Sequence, residues 1–192
     1  MTDVKNVLQQ QLSIAWALLD HHMKGWRDDD VFWEPAPLHW TMHRARGGWA
    51  PDFADVEPSP VPAPTIAWLT WHIGWWWSAA LAHLEQTDVP AHGDVRWPDT
   101  STAITAWLEG LHEAWRAALS ATDRLDDRSA FPWPEEAGLT VADMCAWVNI
   151  ELMKNAAEIG QLLIIRHARH RPGAEEVGDV LVQDGPVGRL DE

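Results

Sequence analysis

Apolar positions recur at helical spacing in four stretches of the chain. Between residues 4 and 24, Val7, Leu8, Leu12, Ala15, Leu18, Leu19 and His22 fall on one face, and Gly25 is a stop signal. A second helix is predicted from Thr65, a plausible cap after Pro64, to about Gln86. A third runs from Ser101 to Ala121. The fourth starts at Thr140, where Thr140-Val-Ala-Asp143 resembles a capping box with Asp in place of Glu, and reaches His170, with Pro172-Gly173 ending it.

Between the first two helices lies a long connection, Trp26 to Pro64. It carries Trp33-Glu34-Pro35-Ala36-Pro37-Leu38-His39-Trp40, the pair Gly47-Gly48, and a Pro-rich run from Glu57 to Pro64. A connection of this length inside one domain is usually functional or crosses a bundle. No internal repeat, low-complexity block or strong strand alternation is visible. The pattern predicts an all-α fold, a four-helix bundle with a long crossover between helices 1 and 2. The bundle domain is placed at residues 1–171, and residues 172–192 read as an acidic, Gly-rich tail that packs loosely.

Composition changes this picture in three ways. The chain has 15 Trp, 3 Phe and no Tyr, so its large aromatics either fill the core or line a cavity. Acidic residues outnumber basic ones 29 to 14, a formal charge of −15. That field repels nucleic acid and anionic membrane. The one dense basic cluster, Arg166 to Arg171, closes a helix, where cations favour the negative end. The run from Thr65 to Leu84 has the length of a membrane span, but it holds His72 and His83, gathers its Trp in the middle and lacks basic flanks. With a single cysteine, Cys145, in an apolar run, and no secretory signal at the N-terminus, the expected setting is the cytoplasm. Cys145 reads as a buried small hydrophobe.

Candidate chemistry concentrates on helix four. Met144, Trp147 or Val148, Glu151, Asn155, Glu158, Leu162 and Ile165 share a face by steps of three and four. Buried carboxylates are costly unless paired, hydrogen-bonded or metal-bound. Either this stripe faces solvent, or Glu151, Asn155 and Glu158 line a polar pocket. The neighbouring stripe, Cys145, Leu152, Ala156, Ile159 and Leu163, competes for the core. On helix two, Trp68, His72, Trp75 and Ala79 form a stripe, and His72 sits among aromatics. Bundle metal sites draw His and carboxylates from facing helices. His39-x-x-x-His43 has ligand spacing in a stretch that is not clearly helical. His21 and His22 cap the first helix or reach the pocket, while His83, His92 and His112 read as surface or packing residues.

Three segments carry a resemblance. These are Trp33-Glu34-Pro35-Ala36-Pro37 with Trp40, then Thr65 to Ile73 around Trp71-His72, then Glu151-Leu-Met-Lys-Asn155-Ala-Ala-Glu158-Ile-Gly. In order and spacing, from about residue 5 to 170, the chain resembles the DinB/YfiT-like superfamily, which includes the mycothiol-dependent maleylpyruvate isomerase metal-binding domain. The resemblance implies a four-helix bundle with a crossover and a divalent metal, zinc or nickel, held between helices. It also implies a thiol S-transferase or isomerase acting on a small molecule. The implied ligands are a His on the second helix and a His-x-x-x-His or Glu-x-x-x-His pair on the last. His72 and Glu151 match. Asn155 stands where the second His is expected, and Asn is a weak, neutral oxygen donor. His72, Glu151 and Glu158 would make an oxygen-rich alternative. Beside this stands a reading without catalysis: a bundle with a degenerate metal site that binds a small ligand in a cavity of Trp68, Trp71, Trp75, Trp76 and Trp77, or that pairs into a homodimer through spare apolar faces.

Overall fold

The computed structural model describes residues 3–170. The division at 171/172 and the tail lie outside the described residues. The four long helices form where the apolar spacing places them. They are α1 (Val4–Met23), α3 (Ile66–Glu85), α4 (Ser101–Ala121) and α5 (Val141–Arg169). A one-turn helix, α2 (Asp28–Val31), and four short strands occupy the crossover: β1 (His39–Trp40), β2 (Met42–Ala45), β3 (Gly48–Pro51) and β4 (Ala63–Pro64).

Each long helix starts on a side-chain cap. Asp3 accepts from the Lys5 amide, Thr65 from Trp68, Thr100 from Ala103 and Thr140 from Asp143. A cap oxygen satisfies one of the amides that the first turn leaves open. At α5 the box closes in both directions, because the Asp143 carboxylate accepts from the Thr140 amide at 2.8 Å. Those bonds also hold the Asp143 carboxyl below its usual range.

α1 lies against α4 and α5, and α3 lies against the same two, which closes the bundle. α1 contributes Leu8, Leu12, Ala15, Leu19 and Met23 to the core. α4 contributes Ile104, Leu108, Trp115 and Leu119. On α5 the stripe of Cys145, Leu152, Ala156, Ile159 and Leu163 is buried throughout, while of the other stripe Met144, Val148 and Asn155 are buried and Glu151, Glu158, Leu162 and Ile165 are half-buried. Thirteen of the twenty residues of α3 are buried, so this helix is covered nearly all round, which explains its apolar run. No helix among the described residues is long and apolar enough to cross a membrane.

Two glycines let rings come close. The Trp107 ring of α4 lies over Gly74 of α3, where an added Cβ would fall 1.8 Å from it. The His22 ring of α1 lies over Gly160 of α5, with a corresponding distance of 2.3 Å. Burial, with the neighbouring charge of His21, lowers the pKa of His22.

The crossover contains strands that its sequence does not announce. β2 and β3 form an antiparallel hairpin, turning through Gly47 at φ 96° and Gly48 at φ 152°, conformations that favour glycine. β1 pairs in parallel with β4, His39 opposite Ala63 and Trp40 opposite Pro64. Strands of two to four residues are too short to show alternation, and the parallel pair joins positions 24 residues apart, so no local signal exists for either. His39 and His43 consequently sit on different strands with separate partners. His39 Nδ1 meets the Ala36 carbonyl at 3.0 Å, and His43 Nε2 meets Asp52 Oδ1 at 2.8 Å.

Asp30 fastens the crossover to the end of α5. It is fully buried, with Arg166 Nε 2.9 Å from one carboxylate oxygen in an ion pair not aligned as a hydrogen bond. The Arg27 amide donates to the other oxygen at 2.8 Å. Arg169 lies over the Trp33 ring, 5.7 Å from its centroid. Part of the basic cluster therefore answers the crossover as well as the helix end. Removing one member of a buried pair leaves an unpaired charge and costs about 3 kcal/mol. Asp30→Ala should lower the unfolding free energy by about that amount in urea melts followed by circular dichroism. A loss below about 0.5 kcal/mol, the scale of an ordinary surface change, would show that the pair is not structural.

Candidate functional site

The N-terminal half of α3, the middle of α5 and the crossover enclose a cavity of about 400 Å³. The β1–β4 pairing brings Trp40 onto the start of α3, where it stacks on Trp68 at 5.0 Å and 25°. Trp68 stacks in turn on His72 at 4.7 Å and 16°, making a column of three rings. The Trp68 N–H donates to the Asp52 carbonyl at 2.7 Å, tying the hairpin exit to the same wall. Phe53, Trp75 and Trp76 complete the aromatic lining, and α5 adds Lys154, Asn155 and Glu158.

His72 is held at both ring nitrogens. An indole N–H can only donate, and the Trp76 N–H points at His72 Nε2, so that nitrogen accepts. The proton of the neutral ring is then on Nδ1, which faces Asn155 Oδ1 at 3.3 Å. Asn155 is buried and presents both its Oδ1 and its Nδ2 at 3.3 Å from Nδ1; a protonated Nδ1 donates to the oxygen. Burial, reinforced by the Lys154 charge and opposed by the Asn155 bond, pushes the His72 pKa down to about 3. His72 is therefore a neutral imidazole at physiological pH.

The four residues singled out on the sequence do not form one set. His72, Asn155 and Glu158 line the cavity, and Glu151 is not among its lining residues. The Glu151 carboxylate is 2.7 Å from Lys154 Nζ. Glu158 is half-buried, and burial first, with the Glu151 charge adding and Lys154 opposing, raises its pKa. Of the five tryptophans expected to form a cavity, Trp68, Trp75 and Trp76 do so, while Trp71 and Trp77 are fully buried core residues. Cys145 is also fully buried, and burial pushes its thiol up to about 12, far from a nucleophile. His112 stacks on Trp16 at 4.1 Å, a packing role. Two lining residues escaped the sequence reading in their roles. Trp76 as the partner of His72 was signalled only by the i, i+4 spacing. Trp40 had no local signal.

A larger cavity of about 590 Å³ lies between the hairpin tip and the start of α4, beside Arg46, Arg96 and Trp107. It contains none of the candidate residues. The smaller cavity is the better site because, among the described residues, it alone joins a half-buried histidine, a buried amide and a half-buried carboxylate in an aromatic wall.

A family model described as the DinB superfamily matches residues 11–159. The chain belongs to the DinB superfamily. No curated protein and no solved structure matches it. In this DinB-superfamily chain the donor set does not fit the zinc or nickel that the resemblance implies. Both His72 nitrogens are engaged, Asn155 supplies only a neutral oxygen, and Glu151 is tied to Lys154. Among the described residues, no group of three or more His, Cys, Asp or Glu side chains is placed to hold a metal ion.

The His72 geometry has a pH signature. An unfolded histidine takes up its proton near 6.5, while the folded one resists until about 3, so the His72 contribution to stability falls as pH drops through that window. Long-range 1H–15N spectra between pH 4.5 and 8 should show a neutral, Nδ1-protonated ring throughout, and His72→Gln should flatten the loss of stability on acidification. A ring titrating near 6.5 would overturn the assignment.

Proposed function

We propose that this chain is a small-molecule-binding DinB-superfamily protein whose aromatic pocket works without a metal at His72. The observation that carries the reading is the engagement of both ring nitrogens of His72, by Trp76 and by Asn155. A metal ligand needs a free lone pair, and here Nε2 spends it on an indole N–H. What is left is a cleft of about 400 Å³, within the range of small-molecule sites, with an apolar wall and a few placed polar groups.

S-transfer or isomerisation of the kind found in the superfamily would need another means of lowering a thiol or water pKa. The chain's own thiol, Cys145, is too deeply buried to serve. We therefore propose binding rather than catalysis. Its single buried thiol suits the cytoplasm. If two copies pair, exposed Ile14 of α1 and Ile150 of α5, which flank a small cleft, offer the apolar face.

Elemental mass spectrometry of the untagged protein, before and after incubation with zinc and nickel, should find no stoichiometric metal. In the presence of a chelator, members of a library of small organic fragments should still shift the indole N–H signals of Trp75 and Trp76. Stoichiometric metal that disappears in His72→Ala would overturn the reading, as would a library that leaves both signals unmoved.

A further inference from the structure

Glu158 is left unanswered in this pocket. It lies one turn beyond Asn155 on α5, half-buried and lining the cavity. Among the described residues it makes no ion pair and accepts no hydrogen bond, while most other charged groups near it are engaged. Lys154, the nearest cation, is held by Glu151 at 2.7 Å. His72 is neutral and brings no positive charge. Glu57, at the exposed rim of the same cavity, is a second carboxylate with no ion pair among the described residues. Locally the pocket has two carboxylates without an ion pair and one lysine, Lys154, that is paired with Glu151 and acts on Glu158 only at longer range, inside a chain whose formal charge is −15. A carboxylate taken partly out of water without a partner is costly, so a ligand that supplies the partner gains what the empty pocket lacks.

The wall limits what that partner can be. A hydrated inorganic cation would meet Phe53, Trp75 and Trp76, which cannot replace its water shell, and it would find no free nitrogen on His72. An alkylated ammonium ion suits both halves of the site. Its charge faces the carboxylate, and its carbon surface meets ring faces, which attract cations. Trp68 is sandwiched between Trp40 and His72, and Trp75 is stacked on Trp71 at 5.7 Å and meets Trp76 at 4.4 Å, so the stacking face offered to a ligand is that of Trp40, whose one ring neighbour among the described residues is Trp68. The buried indole N–H of Trp75 has no hydrogen-bond partner among the described residues. Resting on the reading of this cavity as a small-molecule site, we propose that it binds a small organic ammonium ion. The charge sits on Glu158 and the apolar body lies against Trp40, Trp75 and Trp76.

The test compares choline with 3,3-dimethyl-1-butanol, its neutral isostere, by calorimetry and by the indole signals of Trp75 and Trp76. Choline should bind about tenfold more tightly than the alcohol, a difference of about 1.4 kcal/mol. Glu158→Gln should erase that preference, bringing choline down to the affinity of the alcohol on the same variant, and tetramethylammonium should shift the same signals in the unaltered protein. Equal binding of the two would overturn the ammonium proposal and leave the small-molecule reading standing. So would a failure of both when other fragments still bind. Choline binding that is indifferent to Glu158→Gln would also overturn the proposal. Failure of every fragment as well would overturn both readings. If the variant does not fold, the comparison of choline with the alcohol on the unaltered protein decides.

Discussion

Nearly every face of α3 has to be kept from water. Five tryptophans fall between residues 68 and 77, and the intervening positions are mostly apolar too. Two neighbours, α4 and α5, cover only part of such a helix. The rest is covered by the crossover, which is why that segment is long and why it has short strands of its own. Trp40 is laid over Trp68 by the β1–β4 pairing, and the hairpin brings Trp49 against Trp97, whose N–H reaches Thr70 of α3 at 3.0 Å. Large indoles do not tile a surface completely, and the space left between crossover, α3 and α5 is the cavity. Site and cover arise from the same requirement.

A polar residue inside such a cover must find its partners within the protein. His72 finds them one turn along its own helix, in Trp76, and across the bundle, in Asn155. This pair of contacts decides the chemistry more than the identity of any single residue. With a second histidine at position 155, two nitrogens would converge on one point. With Asn there, the amide oxygen accepts a hydrogen bond from Nδ1–H, the imidazole tautomer is set, and the remaining nitrogen accepts from an indole.

The helices were legible because their signals are local. The cap residues Thr65 and Thr140 stand immediately before the apolar spacing they start, and the third helix begins and ends where its pattern does, on a cap, Thr100, that the spacing alone did not single out. On α5 two stripes competed, and packing buried members of both, Cys145, Leu152 and Ile159 from one and Met144, Val148 and Asn155 from the other, which spacing alone could not foretell. Three of the four candidate residues, His72, Asn155 and Glu158, do reach one cavity. Glu151 does not: it shares a face with Glu158 but lies two turns back along α5, outside the lining, where Lys154 holds it. What the sequence hid was long-range. Asp30 and Arg166 are separated by most of the chain, and β1 meets β4 only after the hairpin has folded between them.

The contact of Trp107 with Gly74 has an evolutionary side. The indole occupies the space a side chain at position 74 would need, in the stretch of α3 that also holds His72 and Trp76. A methyl there would displace the Trp107 ring from its seat on α3, half a turn from the histidine. Drift at position 74 is thus open only to lineages that have first given up the indole at 107. The two positions should covary, and the order of their replacement should run in one direction.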